Sequence, residues 1–248
     1  EMATGTGKTR TALSIVTQLV KDKKINNIII QLEKDNLISQ WEKNIREWLK
    51  SETYEDINLL KFAQNKNQLD EFILSLQSNI IQLLIVSKHN LPELLKKIND
   101  KDLTKTIMIH DEVHGLFSEK ILPEIQGMQK NIKYKLGLSA TIENKFDPER
   151  TKILFEEIGP IIFEYDLERA IQEGVLVEFD LIRLDYRLLD SDRKKRSKAF
   201  ADFEIDIKNG ANPKIAEKRR NLKLSAIKKN CVDKVRVFQN NFEKISKY

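Results

Sequence analysis

The chain has 248 residues, 40% of them hydrophobic and 33% charged, with a net charge of +5. That balance suits a globular protein with a highly charged surface, with room for one large domain or a domain plus a smaller piece. No apolar run approaches the ~18 residues of a bilayer span, so no membrane partner is expected, and the single Cys231 excludes an intrachain disulfide, which makes a reducing, cytoplasmic setting the default expectation.

The first residue is Glu1, and a glycine-rich turn follows at once. Such a turn ordinarily follows a strand, so the chain is expected to be a piece of a longer protein. Residues 10–20 place Leu13, Val16 and Val20 at helical spacing. Residues 27–32 read as a buried strand. Residues 36–49 read as a helix with Leu37, Trp41, Ile45 and Trp48 on one face. A helix is expected over 69–76 and a strand over 80–87, and Pro92 opens a further helix as a first-turn proline does. Strands are expected at 106–111, 136–139 and 161–165, then a helix over 167–173 that ends at Gly174. Alternating strands and helices predict an α/β fold with a mostly parallel sheet covered on both faces.

From Val175 to Leu189 the pattern becomes one long extended run. Beyond Asp190 it is helical and basic, interrupted by turn chemistry from Asn209 to Pro213, with a final helix expected over about 216–245. Charge divides the same way. Residues 1–180 carry 24 Lys/Arg against 29 Asp/Glu, and residues 181–248 carry 19 against 9. We therefore expect a first domain over 1–185 and a basic helical extension over 186–248. A basic segment on an acidic body suggests a polyanionic partner, or else a solvated lysine-rich helix face.

Three segments carry chemistry. The first is Ala3-Thr4-Gly5-Thr6-Gly7-Lys8-Thr9. Its glycines let the backbone curl so that N–H groups point at phosphate oxygens, and the following helix adds its positive end. Lys8 is expected to reach the β- and γ-phosphates and Thr9 to ligate Mg²⁺. Thr4, Gly5, Thr6, Gly7, Lys8, Thr9 and Arg10 form the expected nucleotide-binding set, although Met2 stands where the strict phosphate-loop pattern has another glycine.

The second is the apolar strand that ends in His110-Asp111-Glu112-Val113-His114, with Asp111 falling 103 residues after Lys8. Neighbouring side chains at a strand end point different ways. Asp111 can hold the metal while Glu112 orients the attacking water, the division of labour that phosphoryl transfer needs. His110 and His114 flank a strand end, and the only other histidine is His89, so a zinc site is not expected. The third is Ser139-Ala140-Thr141, whose two hydroxyl side chains at a strand end can bond to the acidic pair and relay its state.

These boxes, in this order, resemble those of superfamily 2 helicases and translocases, in particular the branch that contains the motor subunits of type I and type III restriction enzymes. The resemblance covers residues 1 to about 188. It implies a RecA-like fold, ATP hydrolysis with Mg²⁺, and movement along nucleic acid, DNA rather than RNA. It implies catalytic roles for Lys8, Asp111 and Glu112 and a coupling role for His114, Ser139 and Thr141. The stretch from Asn36 through Gln40 and Trp41, and that from Ile85 through Ser87 and Lys88, correspond to strand-contacting segments, so Gln40, Ser87 and Lys88 are expected at nucleic acid. The run Arg193, Lys194, Lys195, Arg196 and Lys198 supplies further candidate backbone contacts. A second RecA-like domain with an arginine finger is the implied partner, as are nuclease or methylase subunits. An RNA helicase, or a P-loop ATPase that remodels protein, is the alternative.

Overall fold

The computed structural model describes residues 1–52, 57–62, 66–116, 121–141, 148–179 and 182–245. The chain divides into two compact units, Glu1–Glu178 and Phe179–Tyr248.

The first unit is built on five strands: β1 (Asn27–Leu32), β2 (Ile57–Phe62), β3 (Ile81–Ser87), β4 (Thr106–Asp111) and β5 (Tyr134–Leu138). Every pairing is parallel, in the order β2-β3-β1-β4-β5. Parallel strands need crossovers, and helices supply them: α2 (Ile38–Glu52), α3 (Lys66–Ser75), α4 (Leu91–Lys97), α5 (Asp100–Leu103) and α6 (Leu122–Ile125), while α1 (Lys8–Lys21) precedes β1 and α7 (Pro148–Glu157) and α8 (Leu167–Gln172) follow β5.

The period-two geometry of a strand explains why these strands read as unbroken apolar runs. Ile28, Ile30, Leu83, Ile85, Ile107 and Ile109 face one core with Leu13 and Val16 of α1 and Trp41, Ile45 and Trp48 of α2. Ile29, Leu84, Val86 and Met108 face the other with Phe72 of α3, Leu94 of α4 and Leu154 of α7. Each fully buried Ile or Leu contributes about 1.5–3 kcal/mol. The fold is therefore α/β, with a parallel sheet and helices on both faces, as the alternation predicts.

Three local expectations need correcting. Residues 161–165 form no strand, and only Tyr165 makes a bridge, to Met2. Ile162 and Phe163 are exposed. The segment has strand composition but no neighbour to ladder with over its length. β2 was not foreseen, because Asn58 and Lys61 break its apolar run. The last helix is two: after α9 (Asp190–Lys208) come α10 (Pro213–Lys229) and α11 (Val232–Ile245). The break falls at Asn230 and the buried Cys231, whose Sγ lies 3.7 Å from the Arg187 carbonyl.

In the second unit α9 and α10 pack as a hairpin. Lys223 pairs with Asp202 at 2.6 Å, and Arg220 stacks over Phe203, 4.6 Å from the ring centroid. Residues 182–189 carry no regular structure, and Asp180 and Leu181 lie outside the described residues. Among the described residues no helix is long and apolar enough to cross a membrane.

Candidate nucleotide site

Parallel strands deliver their C-terminal ends to one edge of the sheet, where ligands of open α/β folds bind. The register aligns those ends here: Leu32 lies beside Ser87, Gln31 beside His110, and Asp111 beside Leu138. The residues that follow each strand therefore gather at this edge.

The loop before α1 is shaped by two glycines in the left-handed region, Gly5 at φ +87° and Gly7 at φ +92°. A Cβ on Gly7 would meet nothing within 4 Å, so the backbone there faces open space. Thr6 closes the turn internally, its Oγ1 donating to the Ala3 carbonyl at 2.6 Å. The residues before the loop are fixed by backbone bonds. Met2 N donates to Ser139 O at 2.9 Å, and Ala3 N donates to Tyr165 O at 2.9 Å. The Lys8 ammonium donates to the Met2 carbonyl at 3.3 Å.

Asp111 and Glu112 lie across the same cleft, which has a volume of about 980 Å³. Thr4, Gly5, Gly7, Lys8, Thr9 and Arg10 line it on the loop side, with Leu13 and Ser14 of α1. The structure thus brings together the loop and both acids. Thr6 alone of the expected nucleotide set is not on the wall. Asp111 accepts from two donors: Trp41 Nε1 to Oδ2 at 2.8 Å, and Glu112 N to Oδ1 at 3.1 Å. Glu112 has φ +48°, a strained value for a residue with a side chain.

His114 follows in a short 3₁₀ turn, Val113–Gly115. Its Nδ1 lies 2.8 Å from Ser139 Oγ and 3.5 Å from Glu112 Oε2. Ser139 Oγ donates its single proton to Thr141 O at 2.6 Å. The hydroxyl therefore accepts from His114, which places the imidazole proton on Nδ1. Glu112, His114 and Ser139 form one chain of side-chain contacts, which Thr141 joins through its main-chain N–H and carbonyl; the Ser139 hydroxyl thus meets His114 rather than bonding directly to the acidic pair as expected.

His110 points the other way. It is fully buried between Gln31 Oε1 at 2.9 Å from Nδ1 and Gln129 Oε1 at 2.7 Å from Nε2. Burial first, and the nearby Lys135 charge in addition, push its pKa down to about 4 against the opposing bond to Gln129. The ring is neutral and has one N–H, so one glutamine must present its amide nitrogen instead. Both of those nitrogens are buried and otherwise unpartnered, so one turned amide satisfies the ring and one of them.

The segments expected at nucleic acid are placed differently from one another. Gln40 is exposed and lines the cleft. Ser87 and Lys88 are buried. Lys88 Nζ binds Glu33 at 2.6 Å and the Gly115 carbonyl at 3.1 Å, a position that faces inward rather than toward a backbone phosphate. A Cβ on Gly115 would sit 2.4 Å from Glu33 Oε2, so a side chain there would push the Glu33 carboxylate from its place beside Lys88. Arg193, Lys194, Lys195, Arg196 and Lys198 are exposed on α9 of the second unit. Sequence reasoning missed the polar stripe of α2 formed by Asn44, Glu47 and Ser51, which continues the cleft wall from Gln40. Its signal is spacing, since these residues fall four, seven and eleven places after Gln40.

A parallel α/β domain with a glycine-rich loop facing an Asp-Glu pair defines a nucleotide-site fold of the RecA-like kind. Residues 1–144 match the family described as Type III restriction enzyme, res subunit. The chain belongs to this family, and its first unit is a superfamily 2 helicase-like motor domain. Two solved structures share the fold. One is a nuclease-deletion mutant of the Type ISP restriction-modification enzyme LlaGI in complex with a DNA substrate mimic, at TM-score 0.50 and 17% identity over 84% of this chain. The other is the Hef helicase domain of Pyrococcus furiosus, at TM-score 0.54 and 16% identity over 91% of this chain. This chain spans 20% of the first and 49% of the second. Comparison with curated proteins gave no match.

Proposed function

We propose that this chain is the ATP-binding part of a motor that hydrolyses ATP with magnesium to move along nucleic acid, DNA ahead of RNA. The observation that carries the proposal is the single cleft in which the open loop around Gly7 and Lys8 meets Asp111 and Glu112. In this reading the loop amides, from Thr4 to Thr9, and the Lys8 ammonium bind the phosphates, with Arg10 at the rim. Glu112 orients the attacking water, and its proton passes to the carboxylate as the γ-phosphoryl bond breaks.

The residues present fit a magnesium ion. Among the described residues no group of three or more His, Cys, Asp and Glu could hold a metal unaided. An ion shared with a triphosphate does not need one. Thr9 and Asp111 would hold it, and it would neutralise charge that develops on the phosphate oxygens. The contacts from Glu112 through His114 to Ser139 and Thr141 give the site an outlet for its state. A second RecA-like domain in the complete protein would supply the arginine finger, worth ~10³–10⁵ in rate. Residues 186–248 would form the basic segment that leads to it, and nuclease or methylase subunits would complete a restriction or anti-phage assembly.

The test is ATP hydrolysis by the complete protein without nucleic acid and with duplex DNA, single-stranded DNA or RNA. Stimulation by DNA is expected, RNA stimulation alone would make this an RNA motor, and indifference to all three would end the motor reading. Glu112→Gln is expected to bind ATP normally and lose hydrolysis.

A further inference from the structure

Both tryptophans of the chain lie on α2, at Trp41 and Trp48, and both are almost fully buried. A buried indole needs a partner for its N–H. Trp48 donates to Thr17 Oγ1 of α1 at 2.8 Å, an ordinary helix-to-helix bond. Trp41 donates instead to Oδ2 of Asp111, at 2.8 Å, across the cleft floor. A phenylalanine would fill much of the same apolar space, so the core does not by itself explain the indole.

We propose that Trp41 is a positioning residue for the carboxylate of Asp111, and that it makes α2 responsive to the arrival of magnesium. The inference rests on the reading of Asp111 as a metal-holding group. A carboxylate has roughly four lone-pair sites. Trp41 takes one on Oδ2 and the Glu112 amide takes one on Oδ1, so the plane of the group is set from both sides. The remaining lone pairs are left for the ion or its water. The indole bond runs from a buried donor to a partly buried carboxylate, at 2.8 Å, and is charge-assisted, hence short and directional. The same helix carries Gln40 on its exposed face, one residue before Trp41. Movement of Asp111 on metal binding is therefore felt in the first turn of α2, on the wall of the cleft.

Partners that orient a metal ligand from behind typically change metal affinity 10–100-fold when removed. Calorimetric binding of a non-hydrolysable β,γ-imido ATP analogue to the 248-residue chain, with MgCl₂ and with EDTA, separates the contributions. For Trp41→Phe we expect unchanged affinity in EDTA and loss of about tenfold of the gain that magnesium confers. An unchanged magnesium gain would overturn the role of Trp41 and leave the phosphate site standing. No binding of the analogue by the parent chain under either condition would overturn the site itself, and this inference with it. Should Trp41→Phe fail to fold, Trp48→Phe leaves Trp41 as the sole tryptophan, which can be excited apart from the tyrosines. Its emission should then shift when MgCl₂ is added with the analogue bound, and should not shift in Trp48→Phe/Asp111→Asn. A silent Trp41 would equally overturn the proposal.

Discussion

Gly7 has φ +92° with no neighbour within 4 Å of a Cβ placed on it. Substitution there is opposed by backbone conformation rather than by a clash. The left-handed region costs a residue with a side chain about 1–2 kcal/mol, and a loop that escapes the strain by turning its amides away loses the phosphate cradle. Gly7→Ala should therefore either unfold about 1–2 kcal/mol more easily or relax the loop, and in both cases bind ATP at least about tenfold more weakly, a factor equivalent to ~1.4 kcal/mol. Equal affinity in the two proteins would show that this peptide does not contact the nucleotide. His110 gives a second prediction at this scale. Its pKa is lowered to about 4 in the fold, from 6.5 in an exposed ring. Between those values the unfolded chain binds a proton that the folded one does not. Stability from this group is full above about pH 6.5 and is lost as pH falls toward 4, at about 1.4 kcal/mol per pH unit. Denaturant unfolding should show a loss of about 2 kcal/mol between pH 6.5 and 5 from this residue, and His110→Gln should lack that component.

Elements announced themselves in the sequence where burial is two-sided. The strands at Asn27–Leu32 and Thr106–Asp111 lie buried along almost their whole length, and their boundaries match the apolar runs. β2 lies at the edge of the sheet, where polar residues are tolerated on either face, so its Asn58 and Lys61 hid it. The reverse error at residues 161–165 has the same root, since apolar composition does not provide a ladder partner. The loop and the acidic box could be picked out because their residue types and order are unusual, and the structure sets them on the walls of one cleft. Lys88 was not, because the ion pair that turns it inward joins elements distant in sequence. Lys88 connects the end of β3 to Glu33 after β1 and to the turn that follows β4. Removing one partner of a buried pair leaves the other uncompensated, a loss of 3–5 kcal/mol in full burial. Glu33 keeps a quarter of its side-chain exposure, which lowers the expectation for Lys88→Met to about 2 kcal/mol. A variant with native stability but weakened DNA binding would instead return Lys88 to the nucleic-acid surface.

At the scale of the whole molecule, charge distinguishes the two units. Residues 181–248 hold 19 Lys/Arg against 9 Asp/Glu, while the remainder is net acidic. Much of this charge is partly spent within the second unit: Arg193 lies 3.9 Å from Asp190, Lys195 lies 3.8 Å from Asp192, and Arg196 sits over the Phe200 ring. An exposed pair such as Arg193–Asp190 contributes at most about 1 kcal/mol and exchanges readily for phosphate, whereas Lys195 sits over the buried Asp192. A motor that moves along nucleic acid without reading bases must take its affinity from such phosphate contacts, and each one lost flattens the slope of log K against log salt by about 0.9 on duplex DNA. Replacing Arg193, Lys194, Lys195, Arg196 and Lys198 with glutamate is therefore expected to weaken DNA binding and to reduce that slope by about 2–4 if most of the five touch phosphate. Titration of a fluorescent duplex from 50 to 300 mM salt reads both quantities. A slope identical to that of the parent would assign the run to solvation of α9 and remove it from the proposed nucleic-acid surface.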